Sequence, residues 1–533
     1  MVGTDRSNPP GEADMTGMVG RALRMMAGTL VSRVLGLLRE VMIAAFFGAT
    51  RTLDAFYVSY TLANLSRQLL AEGALSASFI PVFSRVHKRE GGKSARALAR
   101  GVLSILILAC AAVVAAGILL SPLLVRVIAP GFDGGQYELS VSLSRAMFPF
   151  LMFVSVGALA MGVLNSTGSF FVPAIAPAAS NMAFIIVLLA LYQRMAIWAL
   201  PAAVLSGGVC SMTLQWFWAA RMGNFLIPAK PDMKNKDLRE SLALFLPFAA
   251  GLSLNQINPV ISRVLGSFLE GGVISALSYA DRIIQLPLGL FVIAISQAVL
   301  PMLSRISPED RGEFSVFIRD SLRFNLFIVL PAALGLMIIA RPIVHILLMR
   351  GAFDEWAWNA TSGALACYAA GLPGTACNTV LMRALYARTM PKAAMKVTLF
   401  TVCANLLMGA ILMRRFSYLG LAVGTSCAFT GAAFVASFLL SRDLGDGIGL
   451  FNAAWLLRLT ASCSAMAVVL IAATSAAAYQ VDAAFVVRAL WVAGMVLLGG
   501  LTYTAATVLL RCPEWGWIKG ALARRKDESI IKS

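Results

Sequence analysis

The sequence predicts an all-α polytopic membrane protein with fourteen transmembrane helices, arranged as two six-helix lobes followed by two further C-terminal helices. Composition predicts the class, because 59% of the 533 residues are hydrophobic, only 13% are charged and the mean hydropathy is +0.80. Soluble proteins carry roughly 25% charged residues, so this chain has too few polar groups for a water-facing surface. The number of long apolar segments predicts the helix count, and an internal repeat predicts the two lobes.

A spanning helix needs about 20 mostly apolar residues. The predicted spans are 26–48, 56–83, 100–128, 141–165, 171–192, 196–219, 240–267, 273–303, 319–348, 358–386, 392–413, 418–440, 453–478 and 484–510. The corresponding regions are an N-terminal tail (1–25), an N-lobe (26–220), a basic linker (221–239), a C-lobe (240–441), a terminal helix pair (442–510) and a C-terminal tail (511–533). The spans 56–83 and 240–267 have the least regular apolar patterns, because polar residues and proline interrupt them.

The distribution of basic residues predicts the orientation of these spans. The net charge is +18, and basic residues are concentrated in segments 84–100 and 221–239 and in the C-terminal tail. The opposite loops, PGFDGGQYE (130–138) and GAFDEW (351–356), are acidic, whereas Arg414-Arg415 is an exception. Since cytoplasmic loops are enriched in Lys and Arg, both termini are predicted to be cytoplasmic. The polar N-terminal segment does not fit a cleaved secretory signal.

An internal repeat relates the two lobes at an offset of 220 residues. The matching landmarks are Pro81 with Pro301, Pro122 with Pro342, and Gly131 with Gly351. Because each repeat covers an even number of spans, the lobes are predicted to be related by a pseudo-two-fold axis along the membrane normal, with the substrate site between them. The pentapeptide SRVLG also occurs twice but is ten residues out of this register. Its second copy places Arg263 at a predicted helix end, where the side chain would snorkel or face lipid headgroups, with a substrate role as the less favoured alternative.

Several charged residues lie inside predicted spans, which costs roughly 2.5–3.5 kcal/mol for each one at a helix centre. These residues are Arg33, Arg39 and Glu40 in helix 1, Arg67 and Glu72 in helix 2, and Arg282 in helix 8. One interpretation is interhelical ion pairing through Arg39/Glu40 and Arg67/Glu72, with a local pair between Asp281 and Arg282. The other is an anion-binding cavity, because guanidinium groups exceed carboxylates and match phosphate oxygens.

Other functional classes lack the side chains that they require. The eight cysteines form no C-x-x-C motif, and only two histidines are present, so disulfides, a metal site and a resident cofactor are not expected. A membrane enzyme acting on polyprenyl phosphates would use clustered carboxylates for Mg²⁺ or a histidine nucleophile, and no D-x-x-D cluster is present. In a membrane protein the positive charge is explained by topology, so nucleic acid is not an expected partner.

The stretch SRVLGLLREVMIAAFFGATRTLDAFYVSYTLANLSRQLLAEGALSASFIPVFS (32–84), with YADR (279–282), closely resembles the MurJ/MviN family of bacterial lipid II flippases. This family belongs to the multidrug/oligosaccharidyl-lipid/polysaccharide exporter superfamily. The resemblance implies transport of undecaprenyl-diphosphate-linked peptidoglycan precursor to the outer leaflet of the inner membrane. It implies substrate-binding roles for Arg33, Arg39, Arg67, Arg282 and Ser275, and a gating or coupling role for Asp54. Spans 13 and 14 would form a groove for the polyprenyl tail.

Departures from some relatives occur at Thr61, Ala63, Gln68 and Gln285. Together with Asp54, the residues Glu40, Glu72 and Gln285 are predicted to serve gating or coupling. The drive for transport is left open between a cation in the second lobe, near Asn255, Gln256, Asn258 and Asn405, and the membrane potential. A monomer is expected. The alternatives are a flippase for another polyprenyl-diphosphate-linked oligosaccharide and a drug/cation antiporter of the same superfamily.

Overall fold

The computed structural model describes residues 33–520 apart from 68–74, 225–226, 254–255, 308, 446–448 and 450–451. All regular structure in these residues is helical, with no β-strand among them. The chain divides into two compact units. We call one of them, which contains Val31–Ser275 and Arg350–Phe353, the first unit. The second unit contains Ala276–Met349 and Asp354–Ser533. The boundary after Ser275 places helices from the beginning of the predicted C-lobe in the first unit.

The first unit contains helices α1 to α10 and the beginning of α11. Their bounds are α1 (33–47), α2 (Arg51–Arg67), α3 (Leu75–Glu90), α4 (Gly92–Ile128), α5 (Gly134–Met147), α6 (Phe150–Ser166), α7 (Phe171–Met195), α8 (Ala199–Arg221), α9 (Lys236–Ser253) and α10 (Ile257–Gly266). A buried aliphatic and aromatic cluster from α3, α4 and α6 forms a core in this unit. The predicted spans 56–83 and 240–267 each correspond to two helices, and residues between those helices lie outside the described part of the chain.

The remaining helices belong mainly to the second unit. They are α11 (Val273–Pro287), α12 (Ile293–Leu303), α13 (Arg311–Ile338), α14 (Ala340–Leu348), α15 (Glu355–Ala387), α16 (Pro391–Leu444), α17 (Ala453–Ala476) and α18 (Phe485–Leu509). A π-helical segment, Leu288–Val292, joins α11 to α12. It follows Pro287 directly, which fits the missing backbone donor and the steric bulk of proline.

Eight candidate membrane spans in the described residues are long and apolar enough to cross a bilayer. Two of them exceed 50 residues because each contains a helical hairpin. Within α16, Ser417 has φ +50, and Thr425 beyond it donates its hydroxyl to Asn405 Oδ1 before it at 3.1 Å. Between α7 and α8, Ala196 has φ +46. The sequence correctly places span boundaries at both positions, because polar residues interrupt the apolar runs there.

Small residues bring α15 and α16 close together. A Cβ atom added to Gly371 would lie 2.3 Å from Ser426 Oγ, and one added to Gly374 would lie 2.2 Å from Thr430 Oγ1. Helices in membranes associate through such close contacts, because apolar burial gives little driving force within lipid. Ser426 also donates its hydroxyl to the Cys367 carbonyl at 2.8 Å. This packing holds the second unit together around its buried core.

Candidate functional site

An ion pair on α1, between a partly buried arginine and a buried glutamate, lies at the centre of the first group of predicted residues. Arg39 Nη2 donates to Glu40 Oε1 at 2.8 Å, and the Tyr57 hydroxyl donates to Glu40 Oε2 at 2.9 Å. Arg39 Nη1 donates to Asn181 Oδ1 at 3.3 Å, and its guanidinium lies 5.3 Å from the Phe184 ring centroid. The Arg39 Nε–H is buried with no acceptor among the described residues. One donor of the Arg39 guanidinium is therefore left unsatisfied inside the protein.

The other basic residues predicted for the first unit lie on α1 and α2. Arg33 is partly buried where the described part of α1 begins. Arg67 lies at the end of α2 and donates Nε to Asn64 Oδ1 at 2.8 Å. Glu72, the predicted partner of Arg67, lies outside the described residues. The pairing of Arg39 with Glu40 is confirmed, but the two are neighbours on one helix, so this ion pair is not interhelical.

Asp54 joins the first turn of α2 to the first turn of α11. Its side chain is buried, and its Oδ2 accepts from the Gly272 backbone N–H at 2.6 Å. Its Oδ1 accepts from the Ser275 N–H at 2.7 Å and from the Ser275 hydroxyl at 2.6 Å. The first backbone N–H groups of a helix have no partner within it and form the positive end of its dipole. Asp54 therefore caps α11 from a distant part of the chain.

This geometry explains the buried position of Ser275. The residue was expected to contact substrate, but it has no exposed surface and its hydroxyl is bonded to Asp54. Asp54 and Ser275 thus form one structural group that connects two helices. In this arrangement the Ser275 hydroxyl is already occupied, and its contact with substrate stays a prediction.

Arg263 lies in the last turn of α10, at the helix end that the sequence predicts. Arg263 is partly buried in α10, and its Nε donates to Thr61 Oγ1 at 3.3 Å. Its Nη1 donates to the Ile274 carbonyl at 3.3 Å, and its guanidinium lies 5.8 Å from the Tyr57 ring centroid. The side chain therefore contacts α2 and the beginning of α11, and its contact with headgroups stays a prediction. Its position near a helix end predicted depth but could not reveal these neighbours.

Arg282 belongs to a chain of polar contacts along α11, in the part that lies in the second unit. Its Nη1 donates to Gln285 Oε1 at 3.3 Å. Gln285 Nε2 in turn donates to Asp281 Oδ2 at 2.6 Å. The amide of Gln285 thus connects the arginine to the carboxylate considered as its local partner. Arg282 is partly buried, whereas Asp281 is exposed.

Gly48 and Gly351 lie at a close backbone contact in the first unit. The sequence indicates Gly351 only as a landmark of the repeat. Gly48 has φ +61 and Gly351 has φ +58, and the Ala352 N–H donates to the Ala45 carbonyl at 2.8 Å. A Cβ at Gly48 would lie 2.2 Å from the Ala352 oxygen, and one at Gly351 would lie 2.2 Å from the Ala45 oxygen. Both positions require glycine because of backbone conformation and space.

Gly131, the repeat counterpart of Gly351, makes a similar contact elsewhere in the first unit. Its N–H donates to Ser267 Oγ at 3.0 Å, and a Cβ there would lie 2.3 Å from the Ser267 carbonyl oxygen. The two glycines each meet the carbonyl of a residue at or near a helix C-terminus, Ala45 in α1 and Ser267 just after α10. The matched glycines of the repeat therefore serve matched packing positions.

The chemistry available in these groups is binding chemistry. Within the described parts of the chain, no three His, Cys, Asp or Glu side chains are grouped so that they could hold a metal ion. The charged groups of α1, α2 and α11 provide guanidinium donors, with carboxylate and amide partners that orient them. Guanidinium donors of this kind suit phosphate or carboxylate ligands.

Comparison with known proteins identifies the family. The family model described as lipid II flippase MurJ matches residues 43–499. The lipid II flippase MurJ of Burkholderia cenocepacia is 33% identical over 410 residues, which cover 75% of this chain and 80% of the relative. The probable lipid II flippase MurJ of Bdellovibrio bacteriovorus is 33% identical over 432 residues, covering 80% of this chain and 82% of the relative.

Solved structures agree with this result. A structure of a lipid II flippase MurJ in an inward closed conformation superposes with a TM-score of 0.76 at 25% identity, covering 92% of this chain and 99% of that one. An inward-facing multidrug resistance MATE transporter of the MOP superfamily has a TM-score of 0.67 at 15% identity, covering 80% of this chain and 98% of that one, and so shares the fold. The resemblance seen in segments 32–84 and 279–282 is confirmed, and the chain belongs to the lipid II flippase MurJ family.

Proposed function

We propose that this chain is a lipid II flippase of the bacterial cytoplasmic membrane. It carries the undecaprenyl-diphosphate-linked disaccharide-pentapeptide from the inner to the outer leaflet by alternating access, for cell wall synthesis. The observation that carries the proposal is the family match over residues 43–499. The arginine groups support it chemically, since a diphosphate headgroup offers the oxygens that guanidinium groups bind.

The arginines proposed to bind the substrate diphosphate are the four that the family resemblance implies, Arg33, Arg39, Arg67 and Arg282. Arg39 already bears one buried donor without an acceptor in the described residues, so a phosphate oxygen would satisfy it. Arg33 and Arg39 are six residues apart, about 120° around a helix, which suits an extended headgroup better than a small ion. The polyprenyl tail would stay in lipid along α17 and α18.

The Asp54 group supports a gating role in the proposed cycle. Asp54 ties α2 to the beginning of α11 through three hydrogen bonds, and these contacts would form and break as the protein changes conformation. Glu40 would orient Arg39, and Gln285 would orient Arg282. Glu72 is included in the proposed coupling group on the family resemblance alone.

The finer topology is part of the same proposal. It comprises fourteen spans, two six-helix lobes with a pseudo-two-fold axis, a tail groove at the terminal helix pair, cytoplasmic termini and a monomeric state. The transport chemistry needs no catalytic residue and no resident cofactor. A coupling cation or the membrane potential would drive the cycle.

The test is replacement of the native protein by variants in cells whose own flippase is depleted. Arg33→Glu and Arg282→Glu should each abolish growth support and leave lipid II on the inner leaflet, because a carboxylate repels the diphosphate. Arg415→Glu makes the same charge change at an exposed position in α16 and should leave growth intact. The readouts are growth, membrane abundance of each variant, and the leaflet distribution of lipid II.

The outcomes separate the alternatives. Full complementation by Arg282→Glu at normal abundance would refute the anion-binding role. A normal lipid II distribution after depletion, with accumulation of another polyprenyl-diphosphate glycan, would favour a different lipid-linked substrate. Cation-dependent drug efflux without an effect on either lipid would favour an antiporter, a function for which shared fold with MATE transporters is the only support.

A further inference from the structure

A pocket of about 510 Å³ in the second unit lies outside all the groups described above. It is formed where α13 ends and α14 begins, beside residues 359–366 near the beginning of α15, the end of α17 and the first two turns of α18. Residues that define it include Met337, Arg341, Asn359, Ser362, Tyr479 and Trp491. The pocket therefore lies where five helices begin or end.

The polar side of this pocket is built from hydrogen-bond donors. Arg341 is the one charged residue in its described lining. Its Nη2 donates to Asn359 Oδ1 at 2.7 Å, and its guanidinium lies 4.8 Å from the Trp358 ring centroid. Ser362 is only 2% exposed, and its buried hydroxyl has no hydrogen-bond partner among the described residues. A fixed cation and an unused hydroxyl donor together call for an anion with several oxygens.

The aromatic side chains indicate the depth of the pocket in the membrane. The Tyr479 and Trp491 rings are 5.1 Å apart, and Trp491 Nε1 donates to the Ala477 carbonyl at 2.8 Å. The Tyr479 hydroxyl bonds to His345 Nδ1 at 2.9 Å. Trp and Tyr concentrate at the membrane–water interface, at the level of the lipid headgroups. The helix termini around the pocket fit the same level, so we expect the phosphate groups of neighbouring lipids at its height.

The rest of the wall is apolar, and it adjoins helix surfaces that expose aliphatic side chains. Met337 is 40% exposed, and Ile338, Ala340 and Pro342 line the same side of the pocket. An acyl chain would cover such surface, whereas a free anion would leave it bare. An amphiphile with a phosphate and an acyl chain therefore matches both sides of the pocket.

We propose that this pocket binds an anionic phospholipid, with its phosphate at Arg341 and Ser362 and an acyl chain along the Met337 side. The lipid would be a bound component of the second unit, separate from the transported substrate. It would connect α14 and α15 to the terminal helix pair α17 and α18.

Native mass spectrometry of the purified full-length protein tests this proposal, with phosphatidylglycerol and phosphatidylcholine as the added probes. Arg341→Gln should weaken phosphatidylglycerol binding about tenfold, the effect of losing one charged hydrogen bond, and should leave phosphatidylcholine binding unchanged. Ser362→Ala should weaken it a few-fold without lowering the melting temperature, because the lost hydroxyl has no protein partner. Arg415→Gln, with the same charge change elsewhere in the unit, should have no effect.

Three results would overturn the assignment. Equal binding of both lipids by the native protein and by Arg341→Gln would show that the site does not recognise an anionic headgroup. If inorganic phosphate competes at the concentration at which the lipid binds, the ligand is a free anion. If undecaprenyl phosphate displaces phosphatidylglycerol from the native protein but not from Arg341→Gln, the pocket is a site for the substrate tail.

Discussion

Asp54 and Glu514 are both buried carboxylates, yet their surroundings differ in the number of hydrogen-bond donors. Asp54 receives three hydrogen bonds, two of them from backbone N–H groups at the beginning of α11. Glu514 lies beyond the end of α18, and Trp455 Nε1 donates to its Oε1 at 2.6 Å. Its Oε2 is buried with no partner in the described part of the chain. The two carboxylates are therefore equally buried, but both oxygens of Asp54 accept hydrogen bonds and only one oxygen of Glu514 does.

The difference has an electrostatic consequence at Glu514. Burial raises the pKa of the Glu514 carboxyl, while the Trp455 hydrogen bond and the Arg323 charge act in the opposite direction. The Arg323 guanidinium lies 5.4 Å from the Trp455 ring centroid, on the same small cluster. A buried carboxylate is thus a stabilising element only where enough donors face it. Asp54 has more donors facing it than Glu514 has, so its removal should be the more costly of the two.

The largest expected effect belongs to Asp54→Asn. The asparagine amide places an NH₂ group against an N–H donor, where the Asp54 carboxylate now accepts. Losing a buried hydrogen bond to a charged group in this way lowers the free energy of unfolding by about 3 kcal/mol. We expect a clearly lower melting temperature and loss of lipid II translocation. Asp133→Asn is the matched control, because Asp133 is an exposed aspartate before α5 whose side chain makes no capping bond. Unchanged stability and transport in Asp54→Asn would break the comparison.

Ser275→Ala should have an intermediate effect. It removes one of the three donors and leaves both backbone N–H groups on Asp54, so we expect a loss of about 1 kcal/mol and partial transport. Ser121→Ala provides the control, since Ser121 is equally buried but donates only within its own helix, to the Gly117 carbonyl. A Ser275→Ala variant with full stability but no transport would assign the hydroxyl to substrate.

Glu514→Gln should have the smallest effect, and the effect should depend on pH. A carboxyl whose native pKa is raised loses stabilisation as the pH rises from its unfolded pKa, about 4.3, through its native value. The glutamine variant has no such titration. At low pH the variant and the native protein should have the same melting temperature. At about pH 8 the variant should melt at the higher temperature. A large loss of stability in the variant at about pH 8 would show that the ionised Glu514 carboxylate stabilises the fold, and a difference independent of pH would show that its pKa does not change on folding.

The fold was predictable where hydrophobic pattern and helix punctuation act locally. Spans on either side of Ala196 and Ser417 were separated correctly, because polar residues interrupt the apolar runs at both places. The tail 511–533 was predicted to be cytoplasmic, but the sequence could not show that Cys512, Glu514 and Trp517 would be buried against the second unit. That burial depends on contacts with residues distant in the chain.

The site was predictable as a set of residue types and not as a set of partners. The arginine surplus and the Arg39–Glu40 pair follow from residues that are close in sequence. The hydrogen bond of Asp54 to Ser275 spans 221 positions, and that of Arg263 to Thr61 spans 202. No local pattern encodes such distances, so Ser275 was read as a cavity residue and Arg263 as a headgroup contact.

The amino-acid sequence by itself determined the membrane class, the order of the helices, the repeat and the family, because these depend on composition and on local spacing. Tertiary structure decided which charges are satisfied. Asp54 is a cap because α11 begins beside it, and Arg341 faces a pocket because five helix ends meet there. Hydrogen bonding acts over about 3 Å, so the role of each buried polar group is determined by neighbours that only the folded chain brings within that distance.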